Sequence, residues 1–357
     1  MTAKDWKIFT GSGKPHDGIN RLPDPPPWRP FETEVPKERT WPQNEEDDRR
    51  YSTERGRTFQ ADPRMVETVN AALYLRRPLL ITGKPGSGKS SLIEAVAYEL
   101  RLGQVLRWPI TSRSKLAEEG LYRYDPIGRL QEAQLRKETW VQKTGVSRIR
   151  RIGRLQEAQL QKQTPDIGKY LRLGPLGTAL LPTQRPRALL IDEIDKADID
   201  LPSDLLNVFE EGEFHIPELE RLDIKEPVWI RAYGEEESFP ITRGHVRCHQ
   251  FPLVVLTSNG ERDFPLPFLR RCLRLEVPEP GPELLAQIVA SHLGDGIAQQ
   301  ASAVIDDFWK RRQGGELATD QLLNAVYLVT GRQDIKEEER QRLVNLLLKE
   351  LAVARIA

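Results

Sequence analysis

The chain has 357 residues, enough for one large domain and a smaller one, and its hydrophobic fraction of 38% supports a sizeable core. Lysine and arginine total 53 and are balanced by 53 aspartates and glutamates, which argues against nonspecific binding to nucleic acid or membrane as the main role. The two cysteines, Cys248 and Cys272, form no C-x-x-C motif, so neither a disulfide framework nor a structural zinc site is expected.

Residues 1–55 are rich in proline and charge, most clearly in the run at 22–30. Because such a composition does not bury a core of its own, we predict a flexible N-terminal extension. The alternative is that Trp6, Trp28 and Trp41 dock onto the domain or onto a partner.

The N-terminus lacks the apolar core of a signal peptide, and no run reaches the ~18 apolar residues of a membrane span. We therefore expect a cytoplasmic protein without membrane contact.

A G-x-x-x-x-G-K-S motif occupies residues 83–90, between an apolar run at 79–82 and a helix-like segment that extends to Leu100. Ahead of it, residues 62–75 begin with Asp-Pro, which fits the N-cap and first position of a helix. A strand before the motif and a helix after it are the context in which this motif binds phosphate.

The residue types of this loop explain how it would bind a nucleotide. Its glycines let backbone N–H groups point inward at phosphates, and the following helix adds the positive end of its dipole. Lys89 can reach the outer phosphates, and the Ser90 hydroxyl can ligate Mg²⁺. The alternative is a glycine turn that joins a strand to a helix, which the matching flanks disfavour. The residues expected to bind nucleotide are Gly83, Lys84, Pro85, Gly86, Ser87, Gly88, Lys89, Ser90 and Ser91.

An internal repeat lies within a predicted surface insertion at about 113–182. The sequence from Ile127 to Leu135 recurs from Ile152 to Leu160, 25 residues further on. Two copies are too few for a solenoid, whereas a loop tolerates a tandem duplication at low energetic cost. The region is basic, which leaves two interpretations: a solvated surface, or a contact element for a partner or nucleic acid.

A second buried strand ends in two carboxylates, Asp192 and Glu193. Downstream of a phosphate-binding loop, the first is expected to hold Mg²⁺ through water, and the second to orient and polarise the attacking water. The alternative is a helix cap after a strand.

A helix is predicted from Leu201 to Glu211, followed by hairpin strands up to residue 250. His245 and His249 are four residues apart, but in strands this spacing does not place them on a helix face. We therefore predict no histidine metal site.

A third buried strand, 251–257, is followed by Asn259, which is expected to face the γ-phosphate and to hold the attacking water together with Glu193. Arg270 and Arg271 then end a short helix. They either complement the negative end of the helix dipole or stabilise charge on a neighbouring subunit's phosphates. Of the two, Arg271 is preferred, but the sequence does not separate the pair.

A proline-rich breaker at 278–282 separates an α/β domain, 56–278, from a C-terminal part, 279–357. Amphipathic helices are predicted in the C-terminal part at 283–293, 298–312, 319–330 and 335–353. We therefore expect a small helical subdomain after the α/β domain.

By these motifs the chain resembles the AAA+ ATPases, and within them the MoxR branch, over about residues 56–353. The resemblance rests on the motifs at 83–90, 173–176, 190–197, 205–212 and 257–259, with Arg270 and Arg271 where arginine fingers lie. It implies an α/β fold of the P-loop AAA+ type, with a five-stranded parallel sheet flanked by helices and followed by a helical lid.

The resemblance also implies a function. ATP and Mg²⁺ would bind between subunits of a ring, expected to be a hexamer, that remodels or activates a client protein. The partner would be a protein client or a protein with a von Willebrand factor A domain, and some relatives belong to bacterial multi-component conflict or signalling systems. One position departs from the family, because Asp320 stands where the lid usually carries its sensor 2 arginine. Arg332 is the alternative residue for that role.

Two other functions stay open from the sequence. The first is a nucleotide-gated assembly scaffold that hydrolyses ATP weakly; the intact Asp192-Glu193 pair favours the ATPase, whereas Asp320 leaves room for the scaffold. The second is a nucleic-acid-acting AAA+ NTPase that uses the basic insertion, which the neutral overall charge disfavours.

Overall fold

A computed structural model describes residues 6–31, 54–144, 166–222, 225–236, 238–312, 317–330 and 337–348. The strands are β1 (Leu79–Thr82), β2 (Leu106–Pro109), β3 (Tyr122–Tyr124), β4 (Leu171–Leu173), β5 (Ala188–Asp192), β6 (Glu213–His215), β7 (Val228–Arg231), β8 (Ser238–Ile241), β9 (His245–Arg247), β10 (Leu253–Ser258) and β11 (Leu273–Glu276). The helices are α1 (Glu54–Thr58), α2 (Pro63–Leu75), α3 (Lys89–Glu99), α4 (Pro126–Thr144), α5 (Pro175–Ala179), α6 (Leu201–Glu211), α7 (Pro217–Glu220), α8 (Leu266–Arg271), α9 (Pro282–Leu293), α10 (Asp295–Gln300), α11 (Ser302–Arg312), α12 (Thr319–Thr330) and α13 (Glu337–Leu347).

A five-stranded parallel sheet forms the centre of the molecule, in the order β11, β1, β10, β5, β2. The predicted α/β architecture is therefore confirmed. Since all five strands run the same way, the carboxyl ends of β1, β5 and β10 lie at one edge, where ligands bind in open α/β sheets. The phosphate loop, Asp192 and Asn259 leave the sheet at this edge.

Alternating side chains of the central strands fill two cores, one on each face of the sheet. In β1, Leu80 packs into one core, whereas Leu79 and Ile81 pack into the other together with helices α2 and α3. This near-continuous apolar sequence is typical of a strand that is covered on both faces. Asp62 caps α2 as predicted, because its carboxylate accepts a hydrogen bond of 2.8 Å from the Met65 amide.

Residues 6–31 differ from the predicted flexible extension. Ile8 and Phe9 are fully buried in the core beneath α2 and α3. Two buried polar residues hold this segment in place. The Asn70 amide group bonds the backbone of Ile8 and Phe9, and the Glu99 carboxylate accepts from the backbone amides of Thr10 and Gly13. Trp41 lies outside the described residues.

Replacing Asn70 by alanine is expected to lower the free energy of unfolding by about 2–5 kcal/mol, because the buried amides of Ile8 and Phe9 lose their acceptor and each unsatisfied group costs ~1–3 kcal/mol. Urea unfolding measures the change. Asn20→Ala is the control, since Asn20 is exposed and should change stability by less than about 0.5 kcal/mol. Equal stability of the two variants would show that the segment's docking is not supported by Asn70.

The surface insertion predicted at about 113–182 spans fewer residues in the structure. Leu173, Leu176 and Leu180 are buried in the main core, so its second flank is part of the domain. The first repeat copy forms the start of α4, where Ile127 and Leu130 are largely exposed. The second copy, at 152–160, lies outside the described residues.

The C-terminal helices α9 to α13 enclose a third, separate core that includes Leu285, Phe308 and Leu322. The predicted segment 298–312 is two helices, α10 and α11, which meet at Ala301. Among the described residues, no helix has the length and apolar character needed to cross a membrane.

Candidate nucleotide-binding site

The loop after β1 has the backbone that a phosphate cradle requires. Gly86 and Gly88 have φ angles of 72° and 90°, in the left-handed region that only glycine adopts at little cost. A Cβ at Gly86 would also come within 2.8 Å of the Ala318 side chain, so the loop is tightly covered by the start of α12. Gly88 caps α3, and the amide groups of the first turn of α3 are therefore directed at the loop.

Lys89 crosses this loop and is only 7% exposed. Its ammonium group donates to the carbonyl oxygens of Gly83 (2.6 Å) and Lys84 (2.9 Å) and to Asn259 Oδ1 (2.9 Å). Burial lowers its pKa, against the opposing effect of Asp195 and Asp192. The amine thus lies between β1 and β10, and it is placed to contact the outer phosphates of a nucleotide.

Two oxygen donors for Mg²⁺ meet at the ends of α3 and β5. Ser90 Oγ donates to Asp192 Oδ1 at 3.0 Å, and Thr257 Oγ1 donates to the same oxygen at 2.6 Å. Hard oxygen ligands of this kind suit Mg²⁺, which is usually bound by one or two protein groups together with substrate phosphates. The donor set therefore fits the ion, and Ser90 and Asp192 are the groups that would hold it.

Glu193 follows directly and has a strained backbone, with a φ of 60°. Its amide donates to Thr257 Oγ1 at 2.9 Å, so that Thr257 links the backbone of Glu193 to the side chain of Asp192. The Glu193 carboxylate accepts a hydrogen bond of 2.7 Å from Lys196 Nζ, which raises the pKa of Lys196. Both side chains are about two-fifths exposed, so this ion pair is worth only ~0–1 kcal/mol.

Asn259 is held at the end of β10 by Asp195. The buried Asp195 carboxylate accepts hydrogen bonds from the Asn259 amide (2.9 Å) and the Glu261 amide (3.2 Å). The other oxygen of Asp195 is buried and has no hydrogen-bond partner among the described residues. Asn259 therefore leaves the sheet in a fixed position beside Lys89.

The phosphate loop, Asp192, Glu193, Thr257 and Asn259 line one cavity of about 480 Å³, which is large enough for a nucleotide. Apolar side chains also line this cavity and suit a flat aromatic base. They are Phe59, Met65, Val277, Leu284, Ile288 and Leu323.

A family model described as "AAA domain (dynein-related subfamily)" matches residues 78–261, slightly more than half of the chain. The chain belongs to this AAA family. No curated protein matches it. Membership implies ATP binding and supports nucleotide hydrolysis, which agrees with the phosphate loop, Asp192, Glu193 and Asn259 around one cavity.

The C-terminal helical region contacts the phosphate loop directly. Thr319 Oγ1 donates to the Gly86 carbonyl at 2.8 Å, and Lys84 Nζ lies 2.5 Å from Glu279 in the linker. Asp320 lines the cavity, so an acid stands where the AAA+ resemblance places an arginine. Arg332 lies outside the described residues.

The two candidate finger arginines of this AAA domain have different surroundings. Arg271 is partly buried, and its Nε lies 2.7 Å from Glu210 Oε1 on α6. Arg270 is exposed, and the contacts of the described residues include no ion pair with its side chain. Neither arginine lines the cavity, so neither is placed to contact a nucleotide in the same subunit.

Sequence reasoning included Thr257, Asp195 and Lys196 in the motifs at 190–197 and 257–259 but gave none of them a role in the site. The sequence shows a third acid, Asp195, three residues after Asp192, but its burial at 4% exposure is seen only in the structure. Thr257 was placed in a strand, but its hydrogen bond to Asp192 depends on the pairing of β10 with β5.

Proposed function

We propose that the protein is a Mg²⁺-dependent, MoxR-like AAA+ ATPase that acts in the cytoplasm as a ring oligomer. The ring, a hexamer in this proposal, remodels or activates a protein client, or a partner with a von Willebrand factor A domain, in a bacterial multi-component system. The observation that carries the ATPase assignment is the meeting of Lys89, Asp192, Glu193 and Asn259 in one cavity.

In the proposed reaction each side chain has a separate role. Lys89 exchanges its contacts with the Gly83 and Lys84 carbonyls for oxygens of the outer phosphates. Ser90 and Asp192 hold Mg²⁺, which supplies charge neutralisation at the phosphates when bound. Asn259 and Glu193 position the attacking water, and Glu193 accepts its proton.

Glu193 must release Lys196 before it can act as the base. Since the pair is exposed and worth little, the cost of opening it is small compared with the barrier of hydrolysis. The Glu193–Lys196 contact is therefore compatible with turnover.

We propose Arg270 as the residue that completes the active site of the neighbouring subunit. Arg271 is directed toward Glu210 on α6 of its own subunit by an ion pair, although this pair, like Glu193–Lys196, is partly exposed and worth only ~0–1 kcal/mol. Arg270 projects from the same short helix into solvent and needs no such exchange. This reverses the sequence-based preference for Arg271.

Replacing Arg270 by alanine is expected to lower the turnover number by about a thousandfold or more while ATP affinity stays unchanged, since a trans-acting arginine contributes ~10³–10⁵ in rate. Arg271→Ala is the matched comparison. It should lower the melting temperature, because Glu210 loses a partner, and should leave the turnover number close to that of the wild type. Steady-state ATPase kinetics and calorimetric ATP titration measure both variants. A larger loss of turnover in Arg271→Ala would assign the role to Arg271 instead.

A second candidate function is a nucleotide-gated scaffold with weak hydrolysis, favoured by Asp320 in the cavity. An assay of phosphate release by the assembled protein with Mg²⁺ and ATP distinguishes the two functions. Multiple turnovers that stop when Mg²⁺ is chelated support the ATPase. Assembly on ATP with less than one turnover per subunit supports the scaffold.

A further inference from the structure

A cluster outside the nucleotide site brings together two histidines and a glutamate. Strands β6 and β9 pair antiparallel, with His215 opposite His245 and Glu213 opposite Arg247. Hydrogen bonds from the Ile216 amide to Gly244 and from the Cys248 amide to Gly212 flank these two pairs. Both pairs therefore occupy non-hydrogen-bonded positions, where facing side chains come closest.

The three side chains converge on one point. The imidazole rings of His215 and His245 are stacked, with centroids 4.7 Å apart and planes 15° from parallel. His245 Nε2 lies 3.0 Å from Glu213 Oε2. One ligand atom from each of the three residues lies within 4.8 Å of the others, and all three side chains are accessible to solvent.

A further carboxylate orients one of these histidines. Glu220 Oε1, at the end of α7, lies 2.7 Å from His215 Nδ1. Nδ1 donates its proton to that carboxylate, so that Nε2 keeps its lone pair for a ligand. A carboxylate on the far nitrogen of a histidine is the usual support for a metal-binding imidazole.

We propose that Glu213, His215 and His245 bind a divalent transition metal ion of the zinc class, with solvent in the remaining position. Two imidazoles and one carboxylate suit zinc and leave one tetrahedral position open. His245 Nε2 and Glu213 Oε2 are already 3.0 Å apart, so metal–ligand bonds of about 2.0–2.2 Å require chiefly that His215 approach them by ~1 Å, and its exposed side chain can rotate to do so. The bound ion would join the short strands β6 and β9 at this end of the molecule.

Arg247 would compete with a metal ion for the Glu213 carboxylate. Its Nε lies 3.5 Å from Glu213 Oε2, the same oxygen that His245 contacts. Arg247 also donates to the Pro30 carbonyl at 3.2 Å, which can retain it when Glu213 turns to the metal. Removing this cation should therefore favour metal binding.

The cluster of Glu213, His215 and His245 could not be predicted from the sequence, because the two histidines lie on strands that are separated along the chain. The spacing of His245 and His249 led to the prediction of no histidine metal site. The structure instead pairs His245 with His215, and His249 is not part of the cluster.

The test is a titration of the full chain with Zn²⁺ in competition with a chromophoric chelator, with Mg²⁺ in excess so that the Ser90–Asp192 site is occupied. One Zn²⁺ per chain is expected to bind with micromolar or lower Kd. His215→Ala and His245→Ala should each raise the Kd by about a hundredfold, and Glu220→Gln by about tenfold. Arg247→Gln should lower the Kd, while His249→Ala should leave it unchanged.

Thermal unfolding with and without Zn²⁺ separates binding from misfolding. Zn²⁺ should raise the melting temperature of the wild type and of His249→Ala, but not that of His215→Ala or His245→Ala, whose melting temperatures without metal should remain near the wild type. Wild-type protein that does not bind Zn²⁺ would overturn the proposal. So would unchanged affinity in both cluster variants, or an equal loss of affinity in His249→Ala.

Discussion

Glu193→Gln is expected to lower the turnover number by about a hundredfold to ten-thousandfold, because the amide cannot accept the proton of the attacking water. ATP affinity should stay close to that of the wild type, since Lys89, Ser90 and Asp192 are untouched. The variant should also hold ATP long enough to accumulate the assembled ring. Phosphate release and size-exclusion chromatography with ATP measure the two effects.

Glu211→Gln is the matched control, as it removes an exposed carboxylate at the end of α6 and should hydrolyse ATP normally. Hydrolysis by Glu193→Gln at the wild-type rate would remove Glu193 from the catalytic role. Loss of ATP binding together with turnover would instead show that Glu193 supports the binding site.

Lys89→Ala is expected to raise the Kd for ATP by about a hundredfold or more, which removes measurable binding at ordinary concentrations. The ammonium group would form two or more charge-assisted hydrogen bonds to phosphate oxygens, each worth ~1.5–3 kcal/mol, and ~1.4 kcal/mol is a tenfold change in Kd. Isothermal titration calorimetry measures the affinity directly.

Because Lys89 is buried and bonds to β10 through Asn259, the melting temperature must accompany the affinity measurement. Lys115→Ala provides the control, since Lys115 is a largely exposed lysine whose ion-pair partner is Glu118. Tight binding of ATP by folded Lys89→Ala would contradict the assignment of the phosphate loop.

The sequence predicts the central sheet and the phosphate end of the site well because both depend on local pattern. The glycine spacing at 83–90 and the apolar run before Asp192 dictate strand, turn and helix within a few residues. The parallel sheet then brings the ends of these strands together without further information. Because local sequence determines these elements, the α/β fold predicted from the sequence is the one found in the structure.

Features that depend on distant contacts could not be predicted in the same way. Residues 6–31 are proline-rich, yet they are held by Asn70 and Glu99, whose contacts lie 61–89 residues away along the chain. The difference between Arg270 and Arg271 depends on Glu210, which the fold of α6 brings to Arg271. Neither contact has a periodic or compositional signature.

The most direct test of the shared active site mixes two inactive variants. Lys89→Ala subunits cannot bind ATP but keep Arg270, and Arg270→Ala subunits bind ATP but lack the arginine. If the arginine acts across the interface of a ring, mixing equal amounts should restore about a quarter of wild-type activity, since random assembly places an intact ATP site beside an intact arginine at ~1 in 4 interfaces. Mixed rings that form, as shown by co-purification of two tags, and yet hydrolyse no faster than the two variants separately would contradict the account.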